Sequence, residues 1–241
     1  MTLAEPIWKK CIPKGLLSTY KRHVRQLREA PICRGKQEEE LKAMMESIRI
    51  TMGGAKHTRA LASTTAFLKP KNATKCRLLL NATAINRADR RRPRKFKLPS
   101  LEGLGREMAT RRASGTKMYL TKVDLTNCYW AIRLPTRWRR IFTIQVQNTK
   151  YRVTRLPFGW KFSPSVCQML VERLARAATE KGEGLPKTYL DDMLLQRGAR
   201  KESKRATRRL TRKLTQAGFI ISPKSDLRPR ISIDFVGKIM S

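Results

Sequence analysis

Along most of this chain the apolar residues come in short runs, broken before they reach helix length. Residues 66–70 and 76–80 are two such runs around a polar turn, and they predict a hairpin. Phe142-Thr143-Ile144-Gln145-Val146 alternates, and Tyr151-Arg152-Val153 answers it, predicting a second hairpin. Residues 118–123 are β-prone and run into Asp124; residues 219–221 predict a strand, 222–225 a turn, and 231–239 a final strand or hairpin. Helical spacing marks other stretches. Residues 16–27 and 38–50 predict helices, the second with Leu41, Met44, Met45 and Ile48 on one face. A short helix follows over 101–110. Ser163 as N-cap and Pro164 at the first helical position start a helix through Val166, Leu170 and Leu174. Residues 201–216 are amphipathic, with Ala206, Leu210, Leu214 and Ala217 forming the apolar stripe. Arg200, Lys201, Lys204, Arg205, Arg208, Arg209, Arg212 and Lys213 form its basic face, read as a solvated outer surface. Gly218 ends that helix. The pattern is α+β, with the order strand, helix, hairpin, helix, strand in its second half.

One octet departs from simple alternation. Thr188-Tyr189-Leu190-Asp191-Asp192-Met193-Leu194-Leu195 carries two adjacent carboxylates between apolar runs, predicting strand, tight turn and strand. Alone it reads as a solvated hairpin tip. Asp124, at the end of its own strand, adds a third carboxylate. Three acids from two strands could hold two divalent ions ~4 Å apart, the arrangement for in-line phosphoryl transfer.

Composition narrows the partner. The 241 residues carry 54 Lys plus Arg against 18 Asp plus Glu, a net charge of +36. A compact chain with that charge calls for a polyanion, nucleic acid before a membrane surface. No apolar stretch approaches ~18 residues, so nothing is expected to span a bilayer, and no secretory signal is read at the start. An intracellular setting, nucleus or cytoplasm, is the expectation. The five cysteines are scattered without a CxxC pair and read as reduced thiols without structural zinc; His23 and His57 lack partners at metal-ligand spacing.

Two basic stretches have two readings each. Lys69, Lys71, Lys75 and Arg77 on the first hairpin are either a solvated edge or a clamp for a triphosphate. Residues 87–97 hold seven basic residues and one acid, Asp89, with Pro93 opposing a helix; they form either a loop along a phosphate backbone or a flexible tail. The aromatic, glycine-bearing stretch at 156–162 suits either a floor under a base pair or apolar packing at a helix entry.

Read jointly, these pieces resemble a retroelement reverse transcriptase over roughly residue 67 to the C-terminal end. Val123-Asp124-Leu125-Thr126-Asn127-Cys128-Tyr129 is similar to the family's first catalytic motif. Leu156-Pro157-Phe158-Gly159-Trp160-Lys161-Phe162-Ser163-Pro164 matches its LPxGxxxSP motif, and Tyr189-Leu190-Asp191-Asp192 its YxDD box. Lys224-Ser225 with Leu227 and Pro229, then Phe235-Val236-Gly237, is similar to the closing motifs, in forms shared by tyrosine-recombinase (DIRS, VIPER-like) and LTR retrotransposons. The resemblance implies a right-hand polymerase with a ferredoxin-like palm, an antiparallel sheet with helices on one face. It implies fingers at 66–97 and 135–160 and a palm at 98–134 and 161–241. Residues 1–65 are then an N-terminal helical extension, and no thumb is expected. Asp124, Asp191 and the Leu125 carbonyl would hold two Mg2+ (or Mn2+) ions, with Asp192 supporting. Tyr129 would sit under the sugar and exclude a 2′-hydroxyl. Arg77, with Lys75 and Lys69 or Lys71, would bind the triphosphate. Phe158, Gly159 and Gln168 would shape the nucleotide pocket and template side, and Lys224 would protonate pyrophosphate. The implied activity is RNA-directed DNA polymerisation on an RNA or DNA template with primer and dNTPs. Asn81 and Thr83 depart from the family's usual aspartate and arginine, which keeps open a decayed nucleic-acid-binding fragment. An RNA-dependent RNA polymerase is disfavoured by Tyr129.

Overall fold

The structure is a computed structural model that describes residues 4–22, 63–72, 75–146 and 149–241. The predicted helix over 38–50, and 16–27 beyond Arg22, lie outside the described residues. The chain divides into two compact units: unit 1 takes residues 1–94 and 132–163, and unit 2 takes 95–131 and 164–241. The backbone thus leaves unit 2 after Ala131 and re-enters it at Pro164.

Unit 1 is built on the two predicted hairpins. β1 (Ser63–Asn72) pairs antiparallel with β2 (Lys75–Asn81), and β4 (Thr143–Val146) with β5 (Thr149–Arg152). Ser63 and Thr64 pair in parallel with Thr143 and Ile144, joining the hairpins in the order β2-β1-β4-β5. Short helices α1 (Ala4–Cys11), α2 (Leu16–Arg22), α3 (Thr83–Arg87) and α6 (Thr136–Arg139) complete the described part. The first two are not a separate extension. Trp8 of α1 stacks on Trp138 and Trp160 with ring centroids 6.3 and 6.1 Å away. Tyr20 of α2 accepts a 3.1 Å hydrogen bond from Trp160 Nε1, and Phe142 and Phe162 meet the Trp160 ring edge-on. Aromatic side chains bury the most area per residue, so two short helices suffice to bring the N-terminal segment into the core. Burial holds the Tyr20 hydroxyl well above its ordinary titration range.

The basic stretch after α3 has no regular structure, yet it is not a free tail near its start. Asp89 is buried. Arg91 donates from Nε to Asp89 at 2.9 Å and from Nη1 to the Lys14 carbonyl at 2.6 Å. Lys161 Nζ donates to the carbonyls of Asn86 and Asp89. The exposed arginines Arg90, Arg92 and Arg94 remain turned to solvent.

Unit 2 follows the predicted order. β3 (Tyr119–Thr126) lies at the centre of an antiparallel sheet. β7 (Asp192–Arg197) pairs one side of it, with β6 (Lys187–Tyr189) beyond. β8 (Ile220–Ile221) and β9 (Asp226–Arg230) share the other side. β9 escaped the sequence reading because Pro229 and four charged or apolar neighbours give no alternation; as an edge strand it tolerates the proline. Helices α7 (Ser163–Ala177) and α8 (Arg200–Gln216) serve one face. The Thr121 and Thr207 hydroxyls meet at 2.7 Å between β3 and α8, beside Leu210 and Leu214. α4 (Leu101–Ala113) and a hairpin of β10 (Ile233–Phe235) and β11 (Lys238–Met240) cover the opposite face, where Leu104, Met108, Leu120, Leu194, Phe235 and Met240 form one core cluster. Two local readings change. Ser163 starts α7, but its hydroxyl donates to the Pro157 carbonyl at 2.6 Å. Arg209 does not join the solvated face of α8, because its guanidinium pairs with Glu180 at 3.1 Å and Glu183 at 2.5 Å.

Candidate active site

The acidic turn sits one residue earlier than its sequence pattern suggests. Leu190 and Asp191 form the corner, and Asp192 already opens β7, opposite Tyr189 of β6 and opposite Asp124 of β3. Side chains at paired positions of antiparallel strands share a face, so Asp124 and Asp192 point the same way, with Leu120 four positions back along β3 and Leu194 two positions on along β7. The corner is strained: Leu190 has φ +56°, in the left-handed region that an ordinary side chain avoids.

Gln168 supports that corner. It is fully buried on α7, its Oε1 accepts the Leu190 N–H at 2.8 Å, and its Nε2 donates to the Thr188 carbonyl and hydroxyl at 3.1 and 3.0 Å. The Gln168 amide is thus engaged inside the protein, holding the turn that carries Asp191. The Asp191 carbonyl in turn accepts from Leu125 N–H at 3.0 Å, tying the turn to β3.

Asp124 is held from the other edge of β3. The ladder breaks there between β8 and β9, and the turn at 222–225 fills the gap. Ser225 Oγ accepts from the Asp124 N–H at 3.0 Å and donates to the Asp124 carbonyl at 3.2 Å, while Ser222 N–H donates to the same carbonyl at 2.8 Å. A single hydroxyl thus takes over the donor and acceptor of a missing strand residue. Lys224, on the same turn, is exposed.

The electrostatics follow. Burial, then the charges of Asp124 and Asp191, push the Asp192 carboxyl up to about 6, against the opposing pull of Lys122. Among the described residues no group of three or more His, Cys, Asp or Glu side chains is gathered to hold a metal. What is assembled is the facing pair Asp124 and Asp192, with Asp191 adding charge from the corner, in place of the expected closed cage of three. The donor chemistry fits a divalent cation: hard carboxylate oxygens suit Mg2+ or Mn2+, and a cation would offset both the burial and the neighbouring negative charge that raise the Asp192 carboxyl.

Other expected residues take these positions. Tyr129, on the single-turn helix α5 (Cys128–Ala131), is 8% exposed just beyond Asn127, whose φ of +51° turns the chain out of β3. In unit 1, Lys69 and Arg77 are exposed, and the Arg77 guanidinium lies 5.3 Å from the Phe158 ring centroid. The side chains of Lys71 and Lys75 lie outside the described residues. Gly159 has φ +98°, and its carbonyl accepts from Asn86 Nδ2 at 2.8 Å. A Cβ there would stand 2.2 Å from the Leu80 carbonyl oxygen. This glycine is required by the close approach of two backbones, a demand of packing within unit 1.

Comparison with known proteins agrees with this arrangement. The profile of the family "Reverse transcriptase (RNA-dependent DNA polymerase)" matches residues 59–235. The chain belongs to the reverse transcriptase family. Relatives of this reverse transcriptase chain include the Gag-Pro-Pol polyprotein of Human T-cell leukemia virus 3 (strain 2026ND), 28% identical over 134 residues, 51% of this chain and 9% of that protein. The Retrovirus-related Pol polyprotein from transposon 412 of Drosophila melanogaster is 29% identical over 124 residues, 50% of this chain and 9% of that protein. The chain thus spans about a tenth of the length of the polyproteins it matches. Among solved structures, a foamy viral protease-reverse transcriptase in complex with double-stranded DNA superposes with a TM-score of 0.68 at 20% identity, covering 88% of this chain and 35% of that one. The same kind of protein in complex with an RNA/DNA hybrid gives 0.66 at 19% identity, covering 89% and 27%. At that identity the likeness concerns the fold, which is α+β of the right-hand polymerase type.

The sequence reading missed the contacts by which Ser225, Ser222 and Gln168 hold the acidic residues in place. Gln168 had a signal, since a glutamine inside the apolar run from Val166 to Val171 must find partners inside. Ser225 had none, because its contact is 101 positions away.

Proposed function

We propose that this reverse transcriptase domain is the catalytic core of an RNA-directed DNA polymerase of a retroelement. It would extend a primer 3′-hydroxyl with deoxynucleotides along an RNA or DNA template. The observation that carries the reading is the facing of Asp124 and Asp192 across β3 and β7, with Asp191 held at the corner beside them. A chain of net charge +36 that still sets Asp124 opposite Asp192, within reach of the Asp191 charge, favours catalysis over simple grip, since charge alone would serve binding. Asp124, Asp191 and the Leu125 carbonyl, with Asp192, are the residues that would hold Mg2+ or Mn2+. Bound there, the cations supply an activated 3′-hydroxyl and a neutralised pyrophosphate. Tyr129 excludes the 2′-hydroxyl of a ribonucleotide. Lys224 gives a proton to the leaving pyrophosphate. On unit 1, the exposed Arg77 and Lys69 are assigned to phosphate binding, and Phe158 to stacking.

The test is primer extension on an RNA template with magnesium, using wild type, Asp124→Asn and Asp191→Asn. Product from the wild type and none from either variant is the expected result. Wild-type levels of product from a variant would remove the assigned carboxylate role. No product from the wild type, with salt-sensitive RNA binding retained, would leave the decayed binding fragment as the better reading.

A further inference from the structure

The polymerase reading makes no use of two buried cysteines in unit 2, Cys128 and Cys167. Cys128 opens α5 and Cys167 lies in the second turn of α7; their sulfurs are 2.9 Å apart, and both are free thiols. Their residues are 3% and 0% exposed. A disulfide needs its sulfurs at about 2.0 Å, so closing this pair asks for a movement of only about 1 Å. The two side chains already face each other, because they hydrogen-bond sulfur to sulfur. We propose that Cys128 and Cys167 are an oxidation site, a dithiol that a peroxide converts to a reversible intramolecular disulfide. The inference stands on the sulfur geometry and does not depend on polymerase activity.

The chemistry balances with hydrogen peroxide as the oxidant. One thiol, as thiolate, attacks the peroxide; its O–O bond breaks, leaving a sulfenic acid and hydroxide. The second sulfur then attacks the sulfenic sulfur, the S–O bond breaks, and water leaves. In sum, two thiols and one peroxide give one disulfide and two waters, and a dithiol reductant reverses the reaction. A water-sized oxidant suits a site this closed. The Cys128 thiol is held well above its usual range, first by its hydrogen bond with Cys167, then by burial and the charges of Asp191 and Asp124, which makes the first step slow.

The link would have an uncommon position. The two residues are 39 positions apart and lie a few residues before the chain leaves unit 2 and a few after it returns. The bond would therefore close the loop that carries residues 132–163. It would also fasten α5, which bears Tyr129, to α7, which bears Gln168. Closing a loop of that length removes much of the unfolded chain's freedom, so the oxidised form should melt several degrees higher.

The experiment treats the full chain with hydrogen peroxide, alkylates remaining thiols in denaturant, and maps peptides without reduction. Of the five cysteines, two should be lost to alkylation and recovered as one Cys128–Cys167 cross-linked peptide. The melting temperature should rise, and dithiothreitol should reverse both changes. Cys167→Ala should keep all its thiols under the same treatment; should it fail to fold, the wild-type peptide map decides alone. Five thiols still alkylated, a cross-link to any other cysteine, or oxidation that stops at sulfinic acid would overturn the proposal.

Discussion

Replacing Gly159 with alanine separates packing from chemistry at a motif position that would ordinarily be read as functional. The new methyl group would sit 2.2 Å from the Leu80 carbonyl oxygen and 3.3 Å from the Leu80 carbonyl carbon, where Cβ atoms essentially never come under 3.0 Å. The obstacle is backbone, so no side chain can swing away. A side chain at φ +98° costs about 1–2 kcal/mol by itself. Moving Leu80 aside stretches its 3.2 Å N–H bond to the Phe158 carbonyl, worth about 1 kcal/mol. It also disturbs the 2.8 Å Asn86 bond to the Gly159 carbonyl and the 3.0 Å bond from Lys161 N–H to Asn86 Oδ1. Together these give about 3–5 kcal/mol, at the high end for a single substitution. For a chain of this size that lowers the melting temperature by roughly 10 °C. The assay is thermal unfolding followed by tryptophan fluorescence. A drop smaller than about 3 °C would mean that the Leu80 strand yields easily, and the packing argument would fail.

Gln168→Leu keeps the bulk but strands the half-buried Leu190 N–H. A loss of about 2–3 kcal/mol is expected in urea unfolding, together with faster hydrogen exchange at Leu190, and an unchanged exchange rate would count against the supporting role. Ser225→Ala should leave the fold nearly intact, costing about 1–2 kcal/mol, yet lower primer extension more than that loss explains by raising the magnesium required; Ser225→Cys should restore part of it. Asp192 gives a pH signature. Its folded value of about 6 lies above the ordinary 3.8, so the folded chain holds the proton more tightly and stability falls as pH rises between those values. Two units correspond to about 3 kcal/mol, reduced to about 1 by solvent screening at a half-buried group. Without divalent metal, wild type should therefore lose about 1 kcal/mol relative to Asp192→Asn between pH 4 and 7; parallel urea-unfolding profiles would refute the raised carboxyl.

Periodicity carried the local elements well. The hairpins through Phe67 and Ile144, the helix carrying Leu210, and the strand ending near Asp124 were all readable, because each buries one face and the sequence must alternate or repeat to do so. The turn at Leu190 slipped by one position, because two adjacent aspartates look like corner residues while the actual corner uses a leucine in a left-handed conformation. That choice becomes intelligible only with Gln168 in place. The packing of the N-terminal segment is not legible in the sequence, since Trp8 and Tyr20 make no repeat and their partners Trp138 and Trp160 are more than a hundred residues away. The same distance effect hid the cysteine pair: scattered thiols without a short-range motif say nothing about which two will meet. Chemistry-bearing residues were thus visible one at a time, while the contacts that orient them were not.

The aromatic cluster of unit 1 also makes the chain report on itself. Of its four tryptophans, Trp8, Trp138 and Trp160 are sealed together in one unit, and Trp130 lies in the other. Ultraviolet emission from this chain is therefore dominated by a dry, close-coupled trio. Loosening of the first helix would redden that light while unit 2 stayed intact, so melting of one half could be watched without any attached dye.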